Sequence, residues 1–234
     1  MASFRGNAAT LKNLRLGLTR QLAKDLLRHN VFTPTSHPKL QCVSLKLCTS
    51  IHSNRTMAYP EVLQLIESIA PNAAAREVKF WRFIPSPPLV LSLFGKLTNL
   101  QVLALPILRL SVWDAMSLFK SLPLLTDFHA DAPTLDPLPN GVIQSKLVAH
   151  VLANYSTMAL RFRCWHMWFG YDNNIKNWAI PFVLLALACP NFDFVDVTPS
   201  TRDLLSAALE RVMSMNVFKK YALRLRRLLP CGLE

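Results

Sequence analysis

The sequence predicts an α/β chain in which about eight parallel strands alternate with about seven helices. Three observations predict it. A hexamer of the form apolar-x-x-apolar-x-apolar returns along almost the whole chain. Between its copies the hydrophobic pattern changes to the 3.6-residue period of an amphipathic helix. A turn-forming lead-in, such as "HPKL", "LTNL", "LPLL" or "CPNF", stands before each clear copy. Self-similarity at a period of some tens of residues is the mark of a repeat architecture, in which each unit buries its apolar face only against its neighbours.

The strand copies run in order from "LKNLRL" (Leu11, Leu14, Leu16) through "LQCVSL" (Leu40, Val43, Leu45) to "AREVKF" (Ala75, Val78, Phe80). "LQVLAL" (Leu100, Leu103, Leu105) and "LTDFHA" (Leu125, Phe128, Ala130) follow. The sixth copy is "TMALRF" (Thr157, Leu160, Phe162), the seventh lies in "NFDFVDV" (Phe192, Val195, Val197), and the eighth is "KYALRL" (Lys220, Leu223, Leu225). The middle apolar residues fall at 14, 43, 78, 103, 128, 160, 195 and 223, so the unit length varies between 25 and 35 residues.

Helical faces occupy the intervals. "EVLQLIESI" aligns Val62, Leu65, Ile66 and Ile69, and "VWDAMSLFKSL" aligns Val112, Ala115, Met116, Phe119 and Leu122. "LLSAALERV" does the same with Leu205, Ala208, Leu209 and Val212, after a capping-box-like spacing of Ser200 and Asp203. Further helices are expected over 20–29, 88–97, 142–154 and 178–188, with Pro181 acceptable only in a first turn. A doubly wound α/β domain shares this alternation. It would normally show longer apolar strands and a glycine-rich first turn, and the chain has 6 glycines with no GxGxxG or GxxxxGK among them, which argues against a nucleotide site of that kind.

Composition sets the remaining bounds. With 51% hydrophobic and 17% charged residues the chain is a folding one, and 26 Lys and Arg against 14 Asp and Glu give a net charge of +12. That balance favours acidic partners, whether protein, nucleic acid or anionic surface. Five scattered cysteines, without CxxC or a His-x-x-x-His companion, suit buried thiols in a reducing compartment, the cytoplasm or nucleus. The most apolar run, Ile180 to Cys189, is about half of the roughly 20 residues a membrane span needs and reads as a buried helix. The first 24 residues carry five basic side chains and no acid, as a mitochondrial presequence does, but they also make the first strand and helix.

The hexamer with its continuation resembles the leucine-rich repeat, L-x-x-L-x-L-x-x-N/C-x-L, and its uneven periods look most like cysteine-type and ribonuclease-inhibitor-like repeats, as in fungal F-box proteins. Only Cys48 occupies the N/C position. The resemblance implies a single horseshoe solenoid over residues 1–234, with repeats from about 11 to 229, strands on the concave side and helices outside. No F-box is recognisable, because too few residues precede Leu11. The end repeats have no room for cap helices, so Leu225, Leu228 and Leu229 are expected to lie uncovered and to favour end-to-end self-association.

Function is expected on the concave strand face, where side chains alternate away from the core. Candidate partner contacts there are Lys46, Lys79, Trp81, His129, Asp131, Arg161, Arg163, Trp165 and Asp196. Arg161, Arg163 and Trp165 read as a basic, aromatic strip for an acidic peptide or a nucleic-acid base. Asp127, His129 and Asp131 share one strand face, but a metal site draws ligands from more than one element, so neither metal nor cofactor is expected. No GxSxG elbow or protease-like cysteine context is present, and no catalytic residue is assigned. The expected function is a non-catalytic protein-interaction scaffold, with substrate recognition for a ubiquitin ligase as the setting that the resemblance implies. The alternative is a basic nucleic-acid-associated protein.

Overall fold

The computed structural model describes residues 10–32, 37–47, 60–69, 75–81, 87–106, 108–136, 146–155, 161–167, 179–192, 194–196, 199–219 and 221. Within them lie seven strands: β1 (Asn13–Leu18), β2 (Cys42–Leu47), β3 (Glu77–Trp81), β4 (Val102–Ala104), β5 (Asp127–His129), β6 (Cys164–His166) and β7 (Phe194–Asp196). They form one sheet in chain order, every pair parallel. The helices are α1 (Arg20–Arg28), α2 (Pro60–Ile69), α3 (Pro87–Phe94), α4 (Val112–Ser121), α5 (Leu147–Asn154), α6 (Ala179–Ala188), α7 (Pro199–Met213) and the single turn α8 (Asn216–Lys219). The expected eighth strand around Leu223, and Leu225, Leu228 and Leu229 with it, lies outside the described residues.

A parallel strand pair needs a crossover, and crossovers are right-handed because a right-twisted strand returns onto its sheet only that way. Seven strands added always on the same side therefore put every helix on one face. Neighbouring helices accordingly touch, α1 on α2, α2 on α3, α3 on α4, α5 on α6, α6 on α7 and α7 on α8, while α4 also packs on α6.

Register follows the hexamer. Leu14, Val43, Val78, Leu103, Phe128, Trp165 and Val195 stand opposite one another across the sheet and are all buried. A backbone feature marks the same register. The carbonyls of Lys12, Gln41, Arg76, Gln101 and Thr126 each accept two successive N–H groups from the next strand, at 2.7–3.1 Å. The fifth pair comes from Arg163 and Cys164, both donating to Thr126.

This corrects the sixth repeat by five residues. Its central apolar residue is Trp165 and not Leu160, and the hexamer is "FRCWHM", with Phe162, Trp165 and Met167 buried. Trp165 is 0% exposed, so its assignment to the partner-binding face is wrong. The physical reason is the core it enters. Trp165 lies 4.8 Å from the Phe128 ring and 5.7 Å from that of Phe182, nearly perpendicular to both, and 6.0 Å from that of Phe119. Edge-to-face aromatic packing of this kind favours a large ring where other strands place Leu or Val.

Helix starts are explained by chemistry in the chain. Pro60, Pro87 and Pro199 each occupy a first helical position, where the missing N–H costs nothing and φ is already set. Thr19 and Ser111 cap α1 and α4, their hydroxyl oxygens accepting the N–H groups of Leu22 and Asp114. Ser200 lies inside the first turn of α7, because that helix begins at Pro199, so the expected capping-box placement before the helix is not met. The run ending at Cys189 is α6, buried from Pro181 to Ala188, as its composition indicates. Among the described residues no helix is long and apolar enough to cross a membrane.

At its end α1 closes with Asn30 in the left-handed region, φ 48°. Asn30 N–H donates to Leu27 C=O and Val31 N–H to Leu26 C=O, and Val31 and Leu26 are both buried. This is a Schellman closure, which favours Gly or Asn at that position. Asn30→Ala is expected to lose about 1 kcal/mol from the Cβ penalty of that conformation, and Asn30→Gly to lose none. Urea unfolding midpoints of the two variants check it; an unchanged midpoint for the alanine variant would contradict the closure.

Candidate functional site

The face of the sheet away from the helices carries the residues that flank each buried central position. One column reads Arg15, Ser44, Lys79, Ala104, His129, His166 and Asp196 in register. The column two residues earlier reads Asn13, Cys42, Glu77, Val102, Asp127, Cys164 and Phe194. Chemistry along this open face changes from strand to strand.

Over β1 to β3 it is basic. Arg15, Lys46, Lys79 and Trp81 line a hollow of about 400 Å³ together with Gly17, Cys42, Ser44 and Glu77. Three cations face one carboxylate there, and Glu77 is held in an ion pair by Lys79. Burial pushes the Cys42 thiol pKa up, with the neighbouring Glu77 charge adding to it. Cys42 therefore stays a protonated, weakly nucleophilic thiol. Next to this hollow, β4 offers Val102 and Ala104, with Pro106 just beyond.

Over β5 and β6 the face carries metal-ligating and titratable groups. His166 Nε2 lies 3.3 Å from Asp127 Oδ1, while Thr126 Oγ1 donates to Asp127 Oδ2 at 2.6 Å. The rings of His129 and His166 stack, with centroids 4.1 Å apart and planes 15° from parallel. Cys164 sits beside them, one strand over from Asp127. At the entry to these strands Arg161 and Arg163 are exposed and line a second hollow, of about 500 Å³, with Thr126, Asp127 and Asn191.

The structure gathers Lys46, Lys79 and Trp81 into one hollow, as the alternation of strand side chains implies. His129 is on the open face, but its neighbour in register is His166 and not Arg161. Arg161 and Arg163 precede β6 instead of alternating along it. Asp131 accepts from Arg109 Nη2 at 3.1 Å and from the Ala132 N–H at 2.8 Å, so both its carboxylate oxygens shape the turn after β5. Asp196 pairs in register with His166, and its side chain lies outside the described residues. His150, on α5, meets Trp113 edge-on at 5.6 Å. Sequence patterning misses Cys164 and His166 because it misregisters the sixth repeat; the overlapping hexamer "FRCWHM" is the signal that finds them.

Comparisons with known proteins add little. No family model matches the chain, and no curated protein matches it. Among solved structures the chain is similar to a leucine-rich repeat protein of Leptospira interrogans, at 14% identity and a TM-score of 0.37, over 84% of this chain and 45% of that one. The fold stands on its own strand order and register.

Proposed function

We propose that the chain is a non-catalytic interaction scaffold of leucine-rich type, and that its open strand face takes an acidic protein segment. The observation that carries this is the basic hollow over β1 to β3, with the half-buried Trp81 at its wall and the apolar β4 beside it. A segment with acidic side chains and an apolar anchor matches both parts, since charge complementarity steers and apolar burial holds. The face suits nucleic acid less well. A polyphosphate crossing the sheet meets the carboxylates of Glu77 and Asp127 between the cations. Substrate recognition for ubiquitin ligation, in cytoplasm or nucleus, is the setting the repeat resemblance supports.

A labelled peptide of glutamate and leucine residues and a single-stranded RNA oligonucleotide separate the two readings. The peptide is expected to bind more tightly at physiological salt and to weaken modestly as salt rises. RNA held through many neutralised phosphates would instead lose about 10³-fold or more in affinity between 50 and 200 mM salt. Tighter binding of the RNA at physiological salt would overturn the proposal.

A further inference from the structure

We infer that Asp127, Cys164 and His166 form a zinc site on the open face. One oxygen, the sulfur and one ring nitrogen of these residues all lie within 4.8 Å of one another. They come from two adjacent strands, Asp127 from β5 and Cys164 and His166 from β6, with Asp127 and Cys164 directly in register. A single strand cannot surround an ion, whereas a parallel pair presents ligands from two sides.

The distances suit zinc. In a tetrahedral site with Zn–O and Zn–N bonds of about 2.0–2.1 Å, the oxygen and nitrogen stand about 3.3 Å apart. Asp127 Oδ1 and His166 Nε2 are 3.3 Å apart. An S-to-N edge in such a site is about 3.5 Å, and the 4.8 Å limit on all three atoms leaves the sulfur at most little more than an ångström to close on binding. A mixed thiolate, imidazole and carboxylate set is a zinc donor set; magnesium and calcium take oxygen ligands.

An outer partner is also in place. Ligating carboxylates are held by a further hydrogen bond that fixes their orientation. The Thr126 hydroxyl donates to Asp127 Oδ2, which leaves Oδ1 turned towards His166. Three protein donors leave the fourth tetrahedral position to water or a bound ligand. His129 stacks flat on His166 and supports the ring instead of ligating in this arrangement. The site stands independently of whether the basic hollow binds a peptide.

Cobalt(II) titration of the full chain tests it, because thiolate–cobalt charge-transfer absorption reports sulfur ligation directly. One equivalent is expected to give that band and a tetrahedral visible spectrum, and zinc to displace it. Cys164→Ser is expected to abolish the band, although four other cysteines remain. Asp127→Asn, isosteric and on the surface, is expected to weaken zinc at least 10-fold. Thr126→Val is expected to weaken it about 10- to 100-fold through the lost outer hydrogen bond. No charge-transfer band in the wild-type chain, or unchanged zinc affinity in Asp127→Asn with circular dichroism intact, would overturn the site.

Discussion

Trp165→Ala is expected to remove about 3–5 kcal/mol of folding stability, the cost of deleting a large buried aromatic and leaving its cavity. A domain of this kind has about 5–15 kcal/mol in total, so the variant stands near the edge of folding. The loss spreads because Trp165 sits in an aromatic cluster that spans three layers of chain. Phe119 lies 4.4 Å from Phe162 and 5.3 Å from Phe128, and Phe162 lies 5.1 Å from Phe192. Removing Trp165 opens a void against Phe119, Phe128 and Phe182 together. Trp165→Phe is expected to cost far less. It keeps most of the ring volume and also removes the indole N–H, which is buried with no hydrogen-bond partner among the described residues. Arg163→Glu, two residues away and exposed, is expected to stay within about 0.5 kcal/mol of the parent. Unfolding followed by far-ultraviolet circular dichroism ranks the three. A Trp165→Ala midpoint equal to that of Arg163→Glu would restore Trp165 to the surface and break the register of β6.

That register shows where sequence patterning succeeds and where it fails. Six of the seven central strand residues are legible, because Leu14, Val43, Val78, Leu103, Phe128 and Val195 each sit in a hexamer with a single alignment. In the sixth repeat two hexamers overlap, and Phe162 is the last apolar residue of one and the first of the other. A preference for leucine at the centre selects Leu160. The backbone selects Trp165, through the paired N–H groups of Arg163 and Cys164 on Thr126. Hexamer matching weighs each copy alone, whereas hydrogen bonding fixes a copy by its neighbour. The same slip hides the candidate metal ligands, since it places Ala159 and Arg161 where Cys164 and His166 stand. The basic hollow is legible because β2 and β3 lie far from the slip and alternate cleanly. The engagement of Asp131 is not, since its partner Arg109 lies 22 residues away in a loop.

Lys46→Glu/Lys79→Glu is expected to lower affinity for the glutamate–leucine peptide by about 100-fold or more, since each reversal turns an attraction into a like-charge repulsion and 1.4 kcal/mol is tenfold. Lys46 stands on β2 and Lys79 on β3, and both line the hollow beside Trp81. The reversal changes its balance from three cations and one carboxylate to one cation and three carboxylates, without touching a core residue. Stability is expected to change little, because both side chains lie at the surface and the ion pair of Lys79 with Glu77, which the reversal breaks, is a solvated one. Lys79→Gln breaks that ion pair without reversing the charge, and is expected to weaken the peptide by about tenfold at most. The same reversal at Arg161 and Arg163 is expected to leave this peptide bound, since those residues line the other hollow, beyond the apolar β4. Fluorescence anisotropy with the four proteins decides between the two ends of the face. If Arg161→Glu/Arg163→Glu releases the peptide and Lys46→Glu/Lys79→Glu does not, recognition belongs to the entry of β6, and the basic hollow over β1 to β3 is only a solvated surface.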